Sequence, residues 1–178
     1  KTLPYPWESC ITSGGGWSYT PDAKYMTGRQ GIHMLIDVVA KGGNLLLNVA
    51  PSPEGEWQQG AYDLLASFGD WMKVNSTAIY DTKPIAPYKE DNICMTQNKA
   101  GSVYLFYLAK EGEDKIPAEI TLKSINPKKG TKITMLGSKI PLKWTKFADG
   151  FKVTIPENLR NNLPCKEAWT LKIEAINR

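Results

Sequence analysis

The run GNLLLNVAP at residues 43–51 constrains the fold more than any other stretch of this chain. Its leucines follow one another without polar alternation, which suits a short strand buried on both faces, as in a parallel sheet. Parallel strands need a long crossover, and the preceding segment GRQGIHMLIDVVAKGG supplies one. Ile32, Leu35, Ile36 and Val39 recur there at helical spacing, Thr27 stands as the N-cap, and Gly42 and Gly43 end the helix. WESCI, at residues 7–11, reads as the strand before it. After the turn PSPEGE, a second helix is expected over 58–74, with Tyr62, Leu65, Phe68, Trp71 and Met72 on one side. The order is strand, helix, strand, helix. Two such units fall far short of the roughly 250 residues of a closed parallel barrel. A lone parallel pair would leave faces and edges uncovered, so the chain is expected to be the end of a larger unit.

From Ala78 the pattern changes. AIYDTKPIAPY contains two prolines and reads as a connector, after which the helical period is gone. SVYLFYLAK, AEITLKS, KITMLG, FKVTIP and WTLKIEAI are alternating or β-rich runs, separated by the turns NPKKG, ADG and ENLRNNLP. This spacing predicts an antiparallel β-sandwich without a long helix.

Charge and cysteine content exclude several functions. Residues 1–87 carry 6 Lys and Arg against 8 Asp and Glu, and residues 88–178 carry 16 against 10. The basic half does not point to nucleic acid, because its lysines are scattered over strand and turn positions and only Arg160 and Arg178 accompany them. No apolar run approaches the roughly 20 residues that span a bilayer, and KTLPYPWE lacks the apolar stretch of a signal peptide. Cys10, Cys94 and Cys165 have no metal-binding or redox spacing; a bridge between Cys94 and Cys165 is left open. His33 is the only histidine. Its place inside the helical apolar pattern predicts a packed or hydrogen-bonded role.

Three blocks carry a family resemblance. PWESC with the following GWSY, then GIHMLIDVVAKGGNLLLNVAPSPEG, then FGDWMKVNSTAIYDTKP, resemble in order and spacing the C-terminal half of an α-L-fucosidase of glycoside hydrolase family twenty-nine. The likeness is close over residues 6–84. It implies the last strand-helix units of a (β/α)8 barrel over residues 1–80, a linker at 81–88 and an antiparallel β-sandwich over 89–178. It also implies release of terminal α-L-fucose from glycans with retention, no metal or organic cofactor, a fucosylated glycan and the remaining N-terminal part of the barrel as partners, neither membrane nor nucleic acid, and a secreted, periplasmic or lysosomal setting. Two other readings stand beside this one: a non-catalytic carbohydrate-binding or structural β module with a barrel remnant, and a retaining glycosidase for another sugar.

Retention needs two carboxyl groups roughly 5–5.5 Å apart. The resemblance makes Glu8 the general acid/base and places the nucleophilic aspartate on a strand before residue 1, so the isolated chain is expected to be inactive. A carboxylate at a barrel strand end stands on the catalytic face, and the neighbouring indole of Trp7 would favour the protonated form. The other reading of Glu8 is a strand-end salt bridge or cap. Trp17 is the candidate to stack on fucose, or else a lid residue packed on the protein. Asn48 either hydrogen-bonds near the substrate or caps the loop before Pro51. Trp57, Trp71 and Trp144 read as packing residues, and Asp22, Glu54 and Glu56 as solvated. Two positions depart from the family pattern: Ala50 replaces a glycine in NVAP, and Ser76 replaces one in NSTAIY, where a helix end with positive φ is expected.

Overall fold

The computed structural model describes residues 2–177. Strand β1 (Trp7–Thr12) pairs in parallel with β2 (Gly43–Asn48), Trp7 standing opposite Gly43 and Thr12 opposite Asn48. Helix α1 (Gly28–Ala40) connects them. Thr27 is its N-cap: the Gln30 amide donates to Thr27 Oγ1 at 3.2 Å, and the Thr27 amide donates to Gln30 Oε1 at 2.9 Å. Gly42 turns the chain with φ of +87°, and Gly43 lies so close beneath the Trp7 indole that an added Cβ would stand 2.5 Å from the ring. These two glycines turn α1 directly into β2.

Helix α2 (Gln59–Ile79) is longer than expected. NST suggests a helix stop because such side chains compete for backbone groups. Here the buried Asn75 donates to the Trp71 carbonyl at 2.9 Å, and Ala78 and Ile79 are covered by the sandwich, so the helix continues. Ser76 is therefore interior to α2, and its carbonyl accepts the capping amide of Tyr80. Positive φ, expected at Ser76, falls instead at Asp81.

The expected linker at 81–88 is mostly strand. Residues Thr82–Glu90 form β3, which pairs with β4 (Ile93–Asn98) across an irregular register between Pro84 and Lys89. The remaining strands are β5 (Val103–Leu108), β6 (Glu119–Leu122), β7 (Ile133–Met135), β8 (Lys143–Phe147), β9 (Gly150–Thr154) and β10 (Ala168–Ile173), with the one-turn helix α3 at Glu157–Arg160. They form a five-stranded sheet, β3-β4-β5-β10-β7, and a three-stranded sheet, β6-β9-β8. The pairings within both are antiparallel.

Between the sheets lies a core that includes Met95, Leu105, Leu122, Phe151, Val153, Trp169 and Leu171. The opposite face of the five-stranded sheet is equally dry. Cys94, Tyr104, Phe106 and Ala168 pack there against Ile32, Ile36, Trp71 and Ala78 of the two helices. Hence β5, whose segment reads from sequence as alternating or β-rich, is buried at five of its six positions.

Polar contacts fix this junction. Trp71 Nε1 donates to the Ala168 carbonyl at 2.9 Å while its ring lies 6.2 Å from Phe106. Thr96 Oγ1 donates to the Ala78 carbonyl at 2.9 Å. Arg29 is paired with Glu167 at 3.0 Å, and His33 Nε2 lies 2.7 Å from the Glu167 carbonyl. Glu167 itself has φ of +73°. The expected structural role of His33 is thus met. The open question of a bridge resolves as free thiols: Cys94 is buried, Cys165 half-buried and Cys10 exposed. Burial pushes the Cys94 thiol up to about 11.

Replacing Trp71 by Ala is expected to cost about 3–5 kcal/mol, as for other large-to-small changes in a core. Trp71→Phe keeps most of the volume and leaves the Ala168 carbonyl only the weak Cys165 Sγ donor at 3.3 Å, and should cost less; denaturant midpoints order the two.

Burial pushes the His33 pKa below its ordinary value, helped by Arg29 and Lys89 and opposed by the Glu167 carbonyl and carboxylate. The folded protein therefore binds fewer protons at this site than the unfolded chain does. Stability from the neutral ring is complete above the unfolded value of about 6.5 and is lost as pH falls from there through the lower folded value. His33 is the only histidine in the chain, so most of a fall in denaturant midpoint between pH 7 and 5.5 should vanish in His33→Gln.

Candidate active site

Successive strand residues point to opposite faces, and the β1–β2 register sorts this pair. Leu45 and Leu47 point toward the helices and line an apolar groove of about 800 Å³ with Leu35, Val39, Phe68 and Met72. Glu8, Cys10 and Thr12 share the other face with Asn44, Leu46 and Asn48. That face is open: Glu8 and Cys10 are exposed, and Leu46 is 50% exposed.

The three candidate residues are not all brought together. Asn48 closes β2, and its Nδ2 donates to the Trp17 carbonyl at 3.3 Å. Asn48 thus tethers the loop carrying Trp17, and among the described residues its side chain has no bond to the loop before Pro51. Trp17 is 61% exposed among the described residues. Glu8 stands apart. It is the second residue of β1, opposite Asn44, while Thr12 and Asn48 mark the C-terminal end. Four residue steps along the strand lead from Glu8 to Thr12, or about 13 Å. Glu8 shares the face of Asn48, but not the end of the strand that the sequence reading expected. The Trp7 indole is on the opposite face, over Gly43, so it does not enclose the Glu8 carboxylate.

The loop between β1 and α1 is held at several points. The Ser13 amide donates to the Asn48 carbonyl and the Met26 amide to the Ser13 carbonyl, each at 2.9 Å. Gly14 pairs with Tyr25, where a Cβ would meet the Lys24 carbonyl at 2.7 Å. Gln58 Nε2 reaches the Thr20 carbonyl at 2.9 Å, joining this loop to the one after β2. Ser13 is buried, and its hydroxyl has no partner among the described residues.

Of the three tryptophans read as packing, Trp71 is buried and Trp144 is half-buried, with its indole N–H bonded to the Thr131 carbonyl. Trp57 differs: it is 39% exposed and 5.6 Å from the ring of Tyr62. Its exposure follows from the tight turn at Ser52–Glu56, where Ser52 Oγ accepts the amides of Glu54 and Glu56. PSPEGE signalled this turn, but not the outward indole after it.

Comparison with known proteins matches both halves. Residues 1–77 match the family model described as alpha-L-fucosidase, and residues 88–174 the alpha-L-fucosidase C-terminal domain. Tissue alpha-L-fucosidase of Rattus norvegicus is 32% identical over 184 residues, covering 99% of this chain and 39% of the relative. The structure of alpha-L-fucosidase isoenzyme 1 from Paenibacillus thiaminolyticus aligns with a TM-score of 0.80 and 27% identity, over 98% of this chain and 41% of that one. The Thermotoga maritima alpha-fucosidase, solved with a mechanism-based inhibitor, shares the fold with a TM-score of 0.83 at 23% identity, over 96% of this chain and 40% of that one. The chain therefore spans about two fifths of the length of these relatives.

Loss of the Asn48 tether is expected to loosen the Trp17 loop while sparing the strands. In Asn48→Ala, chymotryptic cleavage at Trp17 and Tyr19 should accelerate with little change in thermal midpoint. An unchanged cleavage rate would show that the other contacts suffice.

Proposed function

Because the chain belongs to the α-L-fucosidase family and spans its C-terminal portion, we propose that it forms the last two strand-helix units and the β-sandwich of a retaining glycosidase that releases terminal α-L-fucose. The observation that carries this reading is the open parallel pair, whose C-terminal end joins Thr12 and Asn48 to the exposed Trp17. Substrate sites of such barrels are built on that end. An indole suits the apolar face of fucose, whose methyl group replaces a hydroxymethyl.

The rest of the barrel supplies the other strands. The bare outer edges of β1 and β2 and the half-exposed Leu46 support this partner. The nucleophilic aspartate comes from one of those strands. Attack on the anomeric carbon breaks the glycosidic bond while the second carboxyl, as acid, protonates the departing oxygen; water then cleaves the covalent fucosyl-enzyme as the same carboxylate, now a base, takes its proton. The chain alone should therefore not turn over an aryl α-L-fucoside.

The resemblance gives that second role to Glu8. Its strand position favours another reading: a carboxylate at the N-terminal end of the barrel interior, about 13 Å from the mouth, with the proton donor brought by a different segment. Glu8→Gln in the full-length enzyme separates the two. Loss of a general acid costs roughly 10²- to 10⁴-fold, concentrated on natural glycans whose alkoxides leave poorly. Activated aryl fucosides would keep a fast first step, and azide would restore turnover as a fucosyl azide of retained configuration. The strand position predicts similar losses on both substrates and no rescue by azide. Selective loss with rescue would assign the acid/base to Glu8.

A further inference from the structure

At the C-terminal end of the parallel pair, four aromatic rings remain in solvent. Trp17 and Tyr19 are on the loop after β1, 61% and 37% exposed; Trp57 and Tyr62 follow β2, 39% and 44% exposed. The Gln58 bond to the Thr20 carbonyl joins the two segments, so the rings stand on two lips of one rim. The second lip is preformed. Besides the Ser52 hydroxyl contacts, the Ser52 amide donates to the Glu56 carbonyl at 2.8 Å and the Gly55 amide to the Ser52 carbonyl at 2.9 Å. This holds Trp57 against Tyr62 with rings 5.6 Å apart and inclined by 54°. The Tyr62 hydroxyl lies 3.5 Å from Glu56 Oε2, placing an exposed carboxylate beside the two rings.

Two tilted rings with one adjacent carboxylate suit a pyranose. The rings cover its C–H face, and the carboxylate accepts its hydroxyl protons in charge-assisted hydrogen bonds. An ordered turn also lowers the entropic cost of binding. We infer that Trp57, Tyr62 and Glu56 dock the sugar to which the departing fucose is attached, and so select fucosylated oligosaccharides over simple fucosides. This inference rests on the fucosidase reading above.

The test compares two substrates in the full-length enzyme: a fucosylated oligosaccharide, and α-L-fucosyl fluoride, whose leaving group carries no ring. Trp57→Ala should lower kcat/KM on the oligosaccharide about tenfold or more, the effect of truncating a stacked anchor, chiefly through KM, and leave fluoride hydrolysis unchanged. Trp57→Phe should keep most of the oligosaccharide activity, and Glu56→Gln should show a smaller selective loss. Equal losses on both substrates, or no loss on either, in both Trp57→Ala and Glu56→Gln would overturn the inference while leaving the fucosidase reading intact. A wild-type enzyme that hydrolyses neither substrate would overturn both.

Discussion

The five-stranded sheet holds the molecule together because both of its faces are buried. One face meets the three-stranded sheet through Met95, Leu105, Trp169 and Leu171; the other receives α1 and α2 through Cys94, Tyr104, Phe106 and Ala168. Trp71 is the centre of the second contact, buried against Phe106 with its indole N–H bonded to the first residue of β10. A junction of this kind combines dry apolar area with polar groups that have partners inside it. Pulling the helices away would expose the rings and strand that N–H from the Ala168 carbonyl, so both costs act against separation.

The same junction positions the parallel pair. Helix α1 leads into β2 through Gly42 and Gly43, and α1 is held to the sandwich by Arg29 and His33 at Glu167. The ends of β1 and β2, and the loops that Asn48 and Gln58 tie together, thus inherit their placement from a sheet on the far side of the helices. In a barrel the sandwich would act as a rigid backing for its last quarter.

Much of this was legible from the residues. Thr27, the spacing of Ile32, Leu35, Ile36 and Val39, and Gly42 locate α1 because capping and periodicity are local effects. The apolar run 45–47 marks β2 for the same reason. The extension of α2 through Asn75 was hidden, since only a tertiary surface makes a helix preferable to a turn there. VYLFYL at 103–108 contains no charged residue at alternate positions, a sign of double burial that an alternating template misses. The PIAP stretch reads as a connector because proline cannot donate to a ladder, yet β3 tolerates it at the edge of the sheet beside an irregular register. The site was less legible. A tryptophan next to a glutamate suggests an indole around a carboxylate, but strand parity sends the two side chains to opposite faces. The distance of Glu8 from the mouth depends on where the strand begins, which short motifs do not encode.

Native-state hydrogen exchange on the full-length protein tests the shared junction most directly. If α1, α2 and the five-stranded sheet form one cooperative unit, amides within α1 and α2 that have intrahelical bonds and those of β4, β5 and β10 should share one opening free energy and one denaturant dependence. Trp71→Phe should lower both sets together. Helix amides that exchange through a separate, lower-energy opening while the sheet stays protected would contradict this account.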